Sequence, residues 1–267
     1  MFIIGERINS TRQFIARAVQ VKDTAFIQAE AKMQVNAGAR MLDVNCGTLT
    51  REEEPSCLEW LVKTVQEAVD VPLCIDSPNP AALAAALAVH RGRALINSIS
   101  AEGERYSHVL PLIKEYGAAV VALCMDERGL PKDGIQAMET GSKLINRLLD
   151  DGLPLEDIYF DPLIRSVGTS TGAALNALQT MSEMREQFPG LHLVSGLSNV
   201  SHGLPERRHL NRAFLVLSIE HGLDTVIIDP TDSTAMALIY ATEALLDRDR
   251  FCLEYIRAFR QGRLGGK

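Results

Sequence analysis

Eight short apolar runs recur along the chain, each separated from the next by a segment long enough to form a helix. The runs are FIIGE (2–6), MLDVN (41–45), LCID (73–76), ALIN (94–97), AAVVALCM (118–125), DIYFD (157–161), LHLVS (191–195) and TVIID (225–229). They are continuously apolar and bounded by Gly, Pro, Asp or Asn, which is typical of parallel strands buried on both faces. Segments between them, such as 24–38, 57–69 and 79–90, carry apolar residues at helical spacing. This alternation predicts the α/β class.

Eight strand and helix repeats favour a closed barrel over an open sheet. The length of 267 residues is close to the roughly 250 typical of such a barrel. We therefore predict a single eight-fold β/α (TIM) barrel, with one domain spanning residues 1–267. A doubly wound nucleotide-binding sheet is the competing fold. However, no G-x-G-x-x-G follows a strand and no G-x-x-x-x-G-K-[ST] occurs in the sequence.

Charge and composition restrict the classes of partner and the cellular location that we expect for this chain. The formal net charge of -7 argues against nucleic acid or anionic lipid as a partner. The sequence has neither an apolar run of 18 residues nor a charged and apolar leader, so we expect a cytoplasmic protein without a membrane anchor. Five scattered cysteines without a C-x-x-C pair argue against a disulfide framework or a structural zinc site.

Four of the apolar runs lead to a carboxylate or carboxamide. LCID ends at Asp76, ALIN at Asn97, IYFD at Asp161, and LVSGLSN at Asn199. In a β/α barrel the strand ends surround one mouth, so these four side chains are predicted to share a pocket. Each also has a local alternative, because such residues cap helices, brace turns or bond backbone.

These side chains suit a flat ligand that carries amino and carbonyl groups on its edge. A carboxylate can accept two N–H groups, and charge-assisted bonds of this kind contribute roughly 1.5 to 3 kcal/mol. A metal site is the rival interpretation, but only Glu6 accompanies these residues, so we expect no metal. Asp43 and Asn45 resemble a buried bracing pair.

The segment 195–214 combines small residues with polar ones. Gly196, Ser198 and Asn199 would leave room for a bulky planar substrate. Arg207 either contacts that ligand or forms a surface ion pair. No strand ends in Lys, and H-E-x-x-H does not occur. A site of this kind must work by orienting two reactants and stabilising charge.

Several motifs together resemble a known family. IIGERIN, LDVN, CIDS, INS, FDPL and GLSNVS, in this order, resemble the pterin-binding methyltransferases, most closely the methyltetrahydrofolate:corrinoid protein methyltransferases. The resemblance runs over almost the whole chain. It implies a β/α barrel, usually a homodimer, that holds the pterin ring of tetrahydrofolate in its mouth and receives a separate corrinoid protein above it.

The resemblance also implies roles for particular residues. Asp76, Asn97 and Asp161 would hold the pterin edge, and Asn199 would reach the ring nitrogen that carries the methyl group. The other implied folate contacts are Met125, Gly196, Ser198, His202, Arg207 and Ile227. His202 stands where the family often carries Gln.

The implied activity is methyl transfer between the pterin ring nitrogen and the cobalt of a corrinoid, in either direction. No D-x-H-x-x-G motif is present, so the cobalt would arrive on another protein. Acetyl-CoA synthesis, aromatic ether O-demethylation, or methylamine and betaine use could each supply the methyl group. A dihydropteroate synthase-like enzyme is one alternative, although GLSNVS lacks the expected Lys. A folate-binding subunit without turnover is another.

Overall fold

A computed structural model describes residues 1–264 as a closed barrel of eight parallel strands. The strands are β1 (Phe2–Asn9), β2 (Met41–Asn45), β3 (Leu73–Asp76), β4 (Leu95–Ser100), β5 (Ala119–Leu123), β6 (Ile158–Asp161), β7 (His192–Gly196) and β8 (Thr225–Ile228). Each strand pairs with the next in the chain, and β8 pairs with β1 to close the ring. The predicted eight-fold β/α barrel is confirmed.

Helices follow the strands and form the outer layer. They are α1 (Gln13–Gln20), α2 (Thr24–Asn36), α3 (Glu54–Gln66), α4 (Pro80–Val89), α5 (Gly103–Tyr116), α6 (Gly134–Asp150), α7 (Ala173–Gln187), α8 (Arg207–Glu220), α9 (Ser233–Leu245) and α10 (Leu253–Arg260). The side chains of Asp23 and Asn79 cap α2 and α4 by accepting a backbone N–H of the first turn. Within residues 1–264, none of the helices has the length and apolar character needed to span a bilayer.

The largest differences between the predicted and observed strand boundaries are in β1, β4 and β5, whereas β6, β7 and β8 differ by one residue at one or both ends. β1 continues to Asn9, with a shift in pairing register between Gly5 and Ile8. β4 begins at Leu95 and continues to Ser100, beyond the predicted end at position 97. β5 stops at Leu123, although the Cys124 N–H still donates to the Asp161 carbonyl of β6 at 3.1 Å.

Gly5 explains how α2 packs against β1. A Cβ atom at this position would lie 2.5 Å from Oε1 of Gln34, a fully buried residue of α2. That same oxygen accepts a hydrogen bond from the Arg7 backbone N–H at 2.9 Å. A side chain at position 5 would therefore displace the Gln34 carboxamide and break this bond.

The barrel interior begins with an apolar layer. Buried side chains from six strands fill it: Ile4, Met41, Cys74, Leu95, Val121 and Val194. A second and larger core lies between the strands and the surrounding helices. The inner layer closes the lower part of the barrel, so any ligand must enter from the carboxyl ends of the strands.

Candidate active site

The side chains that face the barrel interior change from apolar to polar two residues further along the strands. Side chains alternate across a strand, so the residues two positions beyond the apolar layer also face inward. On four strands they carry acids: Glu6, Asp43, Asp76 and Asp161. Asn97 occupies the same position on β4. These five residues, here called the polar floor, form the base of an open cavity of about 710 Å³.

Most of the predicted site residues line this cavity. They are Asp76, Asn97, Asp161, Gly196, Ser198, Asn199, Arg207 and Ile227. Met125 and His202 are not among the lining residues. Met125 follows the end of β5, and its carbonyl accepts the Ala101 N–H at 2.8 Å. His202 is exposed, and its carbonyl accepts a hydrogen bond from the Ser166 hydroxyl at 2.7 Å.

Asn45 holds the Asp76 side chain, and Arg105 holds the backbone that follows the strand ends. Asn45 donates from Nδ2 to the Asp76 carboxylate at 3.0 Å, which is the bracing role predicted for that residue. Behind the strand ends, the Arg105 guanidinium donates to the carbonyl oxygens of Ser77 and Ser98, both at 2.9 Å. Burial raises the pKa of Asp76 to about 6, although the Asn45 bond and the charge of Arg105 act in the opposite direction. Sequence reasoning did not find Arg105, because it lies on α5.

Asp161 is positioned by the turn that follows β6. Its Oδ1 accepts the Leu163 N–H at 2.8 Å, and Leu163 itself adopts a left-handed backbone conformation with φ 57°. Burial raises the pKa of Asp161 to about 6. Both predicted pterin-binding carboxylates are therefore ionised at pH 7.5, and both become protonated under mildly acidic conditions.

Asp43 lines the cavity, whereas the sequence suggested only a bracing role. It is almost fully buried, and its Oδ1 has no hydrogen-bond partner within residues 1–264. Burial, followed by the negative charge of Asp76, raises the pKa of Asp43 well above its usual range. This environment therefore favours the protonated form of Asp43. Side chains on a strand alternate between its two faces, so Asp43 faces inward as Met41 does. This alternation could have identified Asp43 from the sequence.

Glu6 is the remaining acid of the polar floor, and no role was predicted for it. It lies at the cavity edge, where Arg12 donates to its carboxylate at 3.3 Å. Burial raises the pKa of Glu6, and the Arg12 charge partly offsets this effect. The floor therefore holds four acids whose pKa values are all raised.

Asn199 lies above the floor, in a short 3-10 turn (Leu197–Ser201) that follows β7. Arg207, the first residue of α8, holds this turn by donating to the Ser198 carbonyl at 2.6 Å and to the Ser201 hydroxyl at 3.0 Å. The Asn199 side chain is exposed and has no hydrogen bond to another side chain or backbone group in the described residues. It is therefore free to donate to a ligand that rests on the floor.

Gly196 keeps the space between floor and turn open. Its φ of -81° is accessible to any residue, so backbone conformation does not require glycine here. A Cβ atom at this position would lie 3.8 Å from Asn199 Nδ2, which is an ordinary contact distance. The glycine therefore serves to keep a methyl group out of the cavity.

The arrangement offers carboxylate acceptors at its base, the buried acid Asp43 beside them and the Asn199 carboxamide donor above. Among residues 1–264, no group of three or more His, Cys, Asp or Glu side chains is arranged to hold a metal ion. Such a site can bind a planar molecule by its N–H edge and place one ring atom next to Asn199.

The chain belongs to the family of pterin-binding enzymes, because the sequence profile of that family matches residues 5–229. The chain is also 38% identical, over 267 residues, to the methylcorrinoid:tetrahydrofolate methyltransferase of Eubacterium limosum, and the match covers 99% of this chain and 98% of that protein. The predicted resemblance is thereby confirmed.

A second relative is far longer than this chain. The methionine synthase of Mycobacterium tuberculosis is 30% identical over 241 residues, which are 85% of this chain but only 20% of that enzyme. This chain therefore spans about a fifth of the longer protein's length.

Solved structures share the fold at low sequence identity. The dihydropteroate synthase of Xanthomonas albilineans, in complex with 7,8-dihydropteroate, superposes with a TM-score of 0.69 at 20% identity and covers 93% of both chains. The Yersinia pestis enzyme gives a TM-score of 0.69 at 17% identity, over 91% of this chain and 94% of that one. These likenesses establish the barrel architecture alone.

Proposed function

We propose that this protein is a methyltransferase that moves a methyl group between the pterin ring nitrogen of (methyl)tetrahydrofolate and the cobalt of a corrinoid on a separate protein. The observation that carries the proposal is the juxtaposition of two carboxylates and Asn97 on the floor with the unpaired carboxamide of Asn199 above them. The near full-length similarity to the Eubacterium limosum protein supports the same activity.

The polar floor suits a pterin. A pterin presents an amino group and ring N–H groups on one edge, and Asp76 and Asp161 supply ionised acceptors for them. Asn97 can match a carbonyl or a further N–H, because its carboxamide both donates and accepts. Asp43, whose protonated form is favoured by burial, would provide a donor for a ring acceptor in that form. The floor therefore contains both kinds of partner that the ring edge requires.

Asn199 acts on the nitrogen that gains or loses charge. When the methyl group leaves this nitrogen, the C–N electron pair stays on the nitrogen, which takes up a proton from solvent, while Co(I) supplies the pair for the new bond. In the reverse direction the nitrogen loses that proton and its lone pair attacks the methyl carbon, and the Co–C bond breaks with its electron pair left on cobalt as Co(I). Asn199 can donate a hydrogen bond to the nitrogen as its electron density changes, without titrating itself.

The proposed partners follow from the open cavity and from the relatives. A corrinoid protein would approach the mouth from above, where Asn199 is exposed. We include in the proposal a homodimer and a location in the cytoplasm. The chain's net charge of -7 is consistent with partners other than nucleic acid.

The direct test mixes the purified protein with methyltetrahydrofolate and Co(I) cobalamin, and follows methyl-cobalt formation in the visible spectrum. Asn199→Ala should slow transfer by roughly 100- to 1,000-fold, because the loss of one preorganised donor has an effect of that size. Folate affinity, measured by titration, should change by less than about threefold, because Asn199 acts mainly in the transition state.

Asn176→Ala provides a matched control, because Asn176 lies on α7 and does not line the cavity. It should leave both the rate and the affinity unchanged. An equal loss of affinity and rate in Asn199→Ala would contradict its assigned role. Folate binding without transfer to any corrinoid, free or protein-bound, would instead identify a binding subunit without turnover.

A further inference from the structure

Arg105 donates hydrogen bonds to three backbone carbonyl oxygens at the mouth of the barrel. From the first turn of α5, its Nε donates to Ser98 at 2.9 Å, and its two terminal nitrogens donate to Pro78 at 2.7 Å and to Ser77 at 2.9 Å. Within residues 1–264, all of its hydrogen bonds go to these carbonyls. The guanidinium is therefore positioned by carbonyl dipoles and keeps its positive charge.

The three carbonyls belong to residues that follow two of the predicted ligand contacts. Ser77 and Pro78 come directly after Asp76, the last residue of β3. Ser98 comes directly after Asn97 in β4. Asp76 and Asn97 are neighbours, because they are paired in the register of β3 and β4. One guanidinium therefore fixes the backbone beside both members of this pair.

The strand geometry at this point requires such a donor. The pairing of β4 with β5 shifts register between Asn97 and Ile99, which indicates a bulge at Ser98. A bulge takes a residue out of the regular ladder and redirects the side chains beside it. Its carbonyl then needs another partner when it lies away from water. Arg105 supplies that partner, so the direction of the Asn97 side chain depends in part on α5.

The charge of Arg105 also acts on Asp76. Burial raises the pKa of Asp76, whereas the hydrogen bond from Asn45 and the charge of Arg105 lower it. Glu54 on α3 adds a negative charge that raises this pKa. Asp43 on β2 is the neighbouring acid, and its own pKa is raised by Asp76. Among these groups, Arg105 carries the positive charge that favours the ionised form of Asp76.

We propose that Arg105 is a positioning residue for the folate site, which holds Asp76 and Asn97 at the spacing that the pterin edge requires and places a positive charge beside Asp76. Within the part of the chain that the structure describes, Arg105 is not among the residues that line the cavity, so it acts through Asp76 and Asn97. The inference rests on the proposed function and adds a residue that supports the binding step.

Isothermal titration with methyltetrahydrofolate between pH 5 and pH 8.5 tests this role. Arg105→Met removes both the charge and the donors, so the dissociation constant at pH 7.5 should rise roughly 10- to 100-fold. The pH at which affinity is half lost, near 6 in the wild type, should move upward by about one unit. The kcat at saturating folate should change by less than about threefold, because Asn199 is untouched.

Arg105→Lys separates the charge from the geometry. Lysine keeps the positive charge, but its ammonium cannot bind three carbonyls in a fixed fork. The pH midpoint should therefore stay near that of the wild type, while the dissociation constant at pH 7.5 should still rise. A midpoint that moves as far as in Arg105→Met would overturn the role of the charge. If Arg105→Met does not fold, wild-type affinity in Arg105→Lys would overturn the positioning role.

Arg185 provides a matched control at the opposite end of the barrel. It donates to the Leu191 and Gly222 carbonyls, which precede β7 and β8, at 2.6 and 2.7 Å. Arg185→Met should lower the melting temperature, as Arg105→Met does, but should leave folate affinity and its pH midpoint unchanged. Equal losses of affinity in the two variants, or an Arg105→Met variant that loses stability alone, would overturn the inference.

A double-variant cycle without ligand separates this inference from the proposed function. In urea denaturation at pH 7.5, Arg105→Met should lower the midpoint more in the wild type than in Asp76→Asn, which has no carboxylate charge to stabilise. The difference should shrink at pH 5, where Asp76 is mostly protonated. Equal effects in both backgrounds at pH 7.5 would overturn the action of Arg105 on Asp76, whether or not folate binds. A wild type that binds no folate would overturn the proposed function.

Discussion

Two adjacent layers of the barrel interior have opposite chemistry, although only one strand repeat of roughly 7 Å separates them. The lower layer contains Ile4, Leu95 and Val121 among its buried apolar side chains. The polar floor above it contains four acids and Asn97. Both layers are built by the same barrel, and their side chains point to the same axis.

The lower layer therefore serves stability and the polar floor serves function, and the two are separated along the barrel axis. The lower layer removes apolar surface from water and has no polar group to satisfy, so it stabilises the fold. The polar floor is held in a partly desolvated position where its carboxylates have raised pKa values. Ionised acids in such a place lower stability, and a ligand with N–H groups relieves that loss. Substitutions in the two layers should therefore have opposite consequences.

The largest effect is expected in the lower layer. Leu95→Ala removes a fully buried side chain and leaves a cavity, so the free energy of unfolding should fall by about 2–5 kcal/mol. Urea denaturation measures this change, and Leu175→Ala on the surface should change it by less than about 0.5 kcal/mol. Methyltetrahydrofolate affinity of the folded variant should stay near wild type. A large loss of affinity would show that the layers are not separable.

The next effect concerns binding at the floor. Asp76→Asn and Asp161→Asn preserve shape but remove a charged acceptor, so each should weaken methyltetrahydrofolate binding by about 1.5–3 kcal/mol, or roughly 10- to 150-fold. Isothermal titration at pH 7.5 measures this. Wild-type affinity should also fall as the pH drops through about 6, where both carboxylates take up protons. Unchanged affinity in both variants would remove these residues from the site.

The same variants should be more stable than the wild type. The native protein binds more protons than the unfolded chain between about pH 4 and 6, so stability from these groups is present below pH 4 and is lost as the pH rises through 6. At pH 7.5, the free energy of unfolding of Asp76→Asn should therefore exceed that of the wild type by about 1–2 kcal/mol, since the rise in the pKa of Asp76 to about 6 sets an upper bound of about 3 kcal/mol.

Urea denaturation at pH 5 and pH 7.5 tests whether Asp76→Asn raises or lowers the free energy of unfolding. The gain of Asp76→Asn over the wild type should shrink at pH 5, where the wild-type carboxyl is mostly protonated. A variant that is less stable at both pH values would mean that the Asn45 hydrogen bond outweighs the desolvation of the charge.

The smallest effect is expected at Asp43. Because burial favours the protonated form of Asp43, we expect Asp43→Asn to change little charge, and both stability and affinity should stay within about 0.5 kcal/mol of wild type. Asp43→Leu, which removes the donor, should weaken folate binding about tenfold, on the order of the 1.4 kcal/mol that one hydrogen bond contributes. If Asp43→Asn weakens binding as much as Asp76→Asn, then Asp43 is ionised in the complex.

Much of this architecture could be predicted from the sequence. Continuous apolar runs fixed the number and order of the strands, since a segment of that kind is favoured only where both faces are buried. Asp76 and Asp161 were found as the last residues of β3 and β6. Asn97 was found although β4 continues beyond it, because its side chain still faces the axis.

Other features could not be predicted from local pattern. Met125 follows the end of β5, and the direction of the chain there depends on the contact of its carbonyl with Ala101. Arg105 supports Asp76 from α5, about thirty residues away in the chain. Neither the position of Met125 nor that of Arg105 can be predicted from the spacing of apolar residues. The folate contacts implied for Met125 and His202 remain predictions, and neither residue lines the cavity.

The sequence by itself determined that the chain alternates between strand and helix, because each element depends on the spacing of its own neighbouring side chains. It also determined that acids would stand at strand ends. Which alternate residues face one another depends on closure of the barrel. The position of Asp43 in the cavity was therefore evident only from the tertiary structure. The protonation of the acids likewise depends on burial and on the distance to other charges, which arise when strands far apart in the chain enclose the same space.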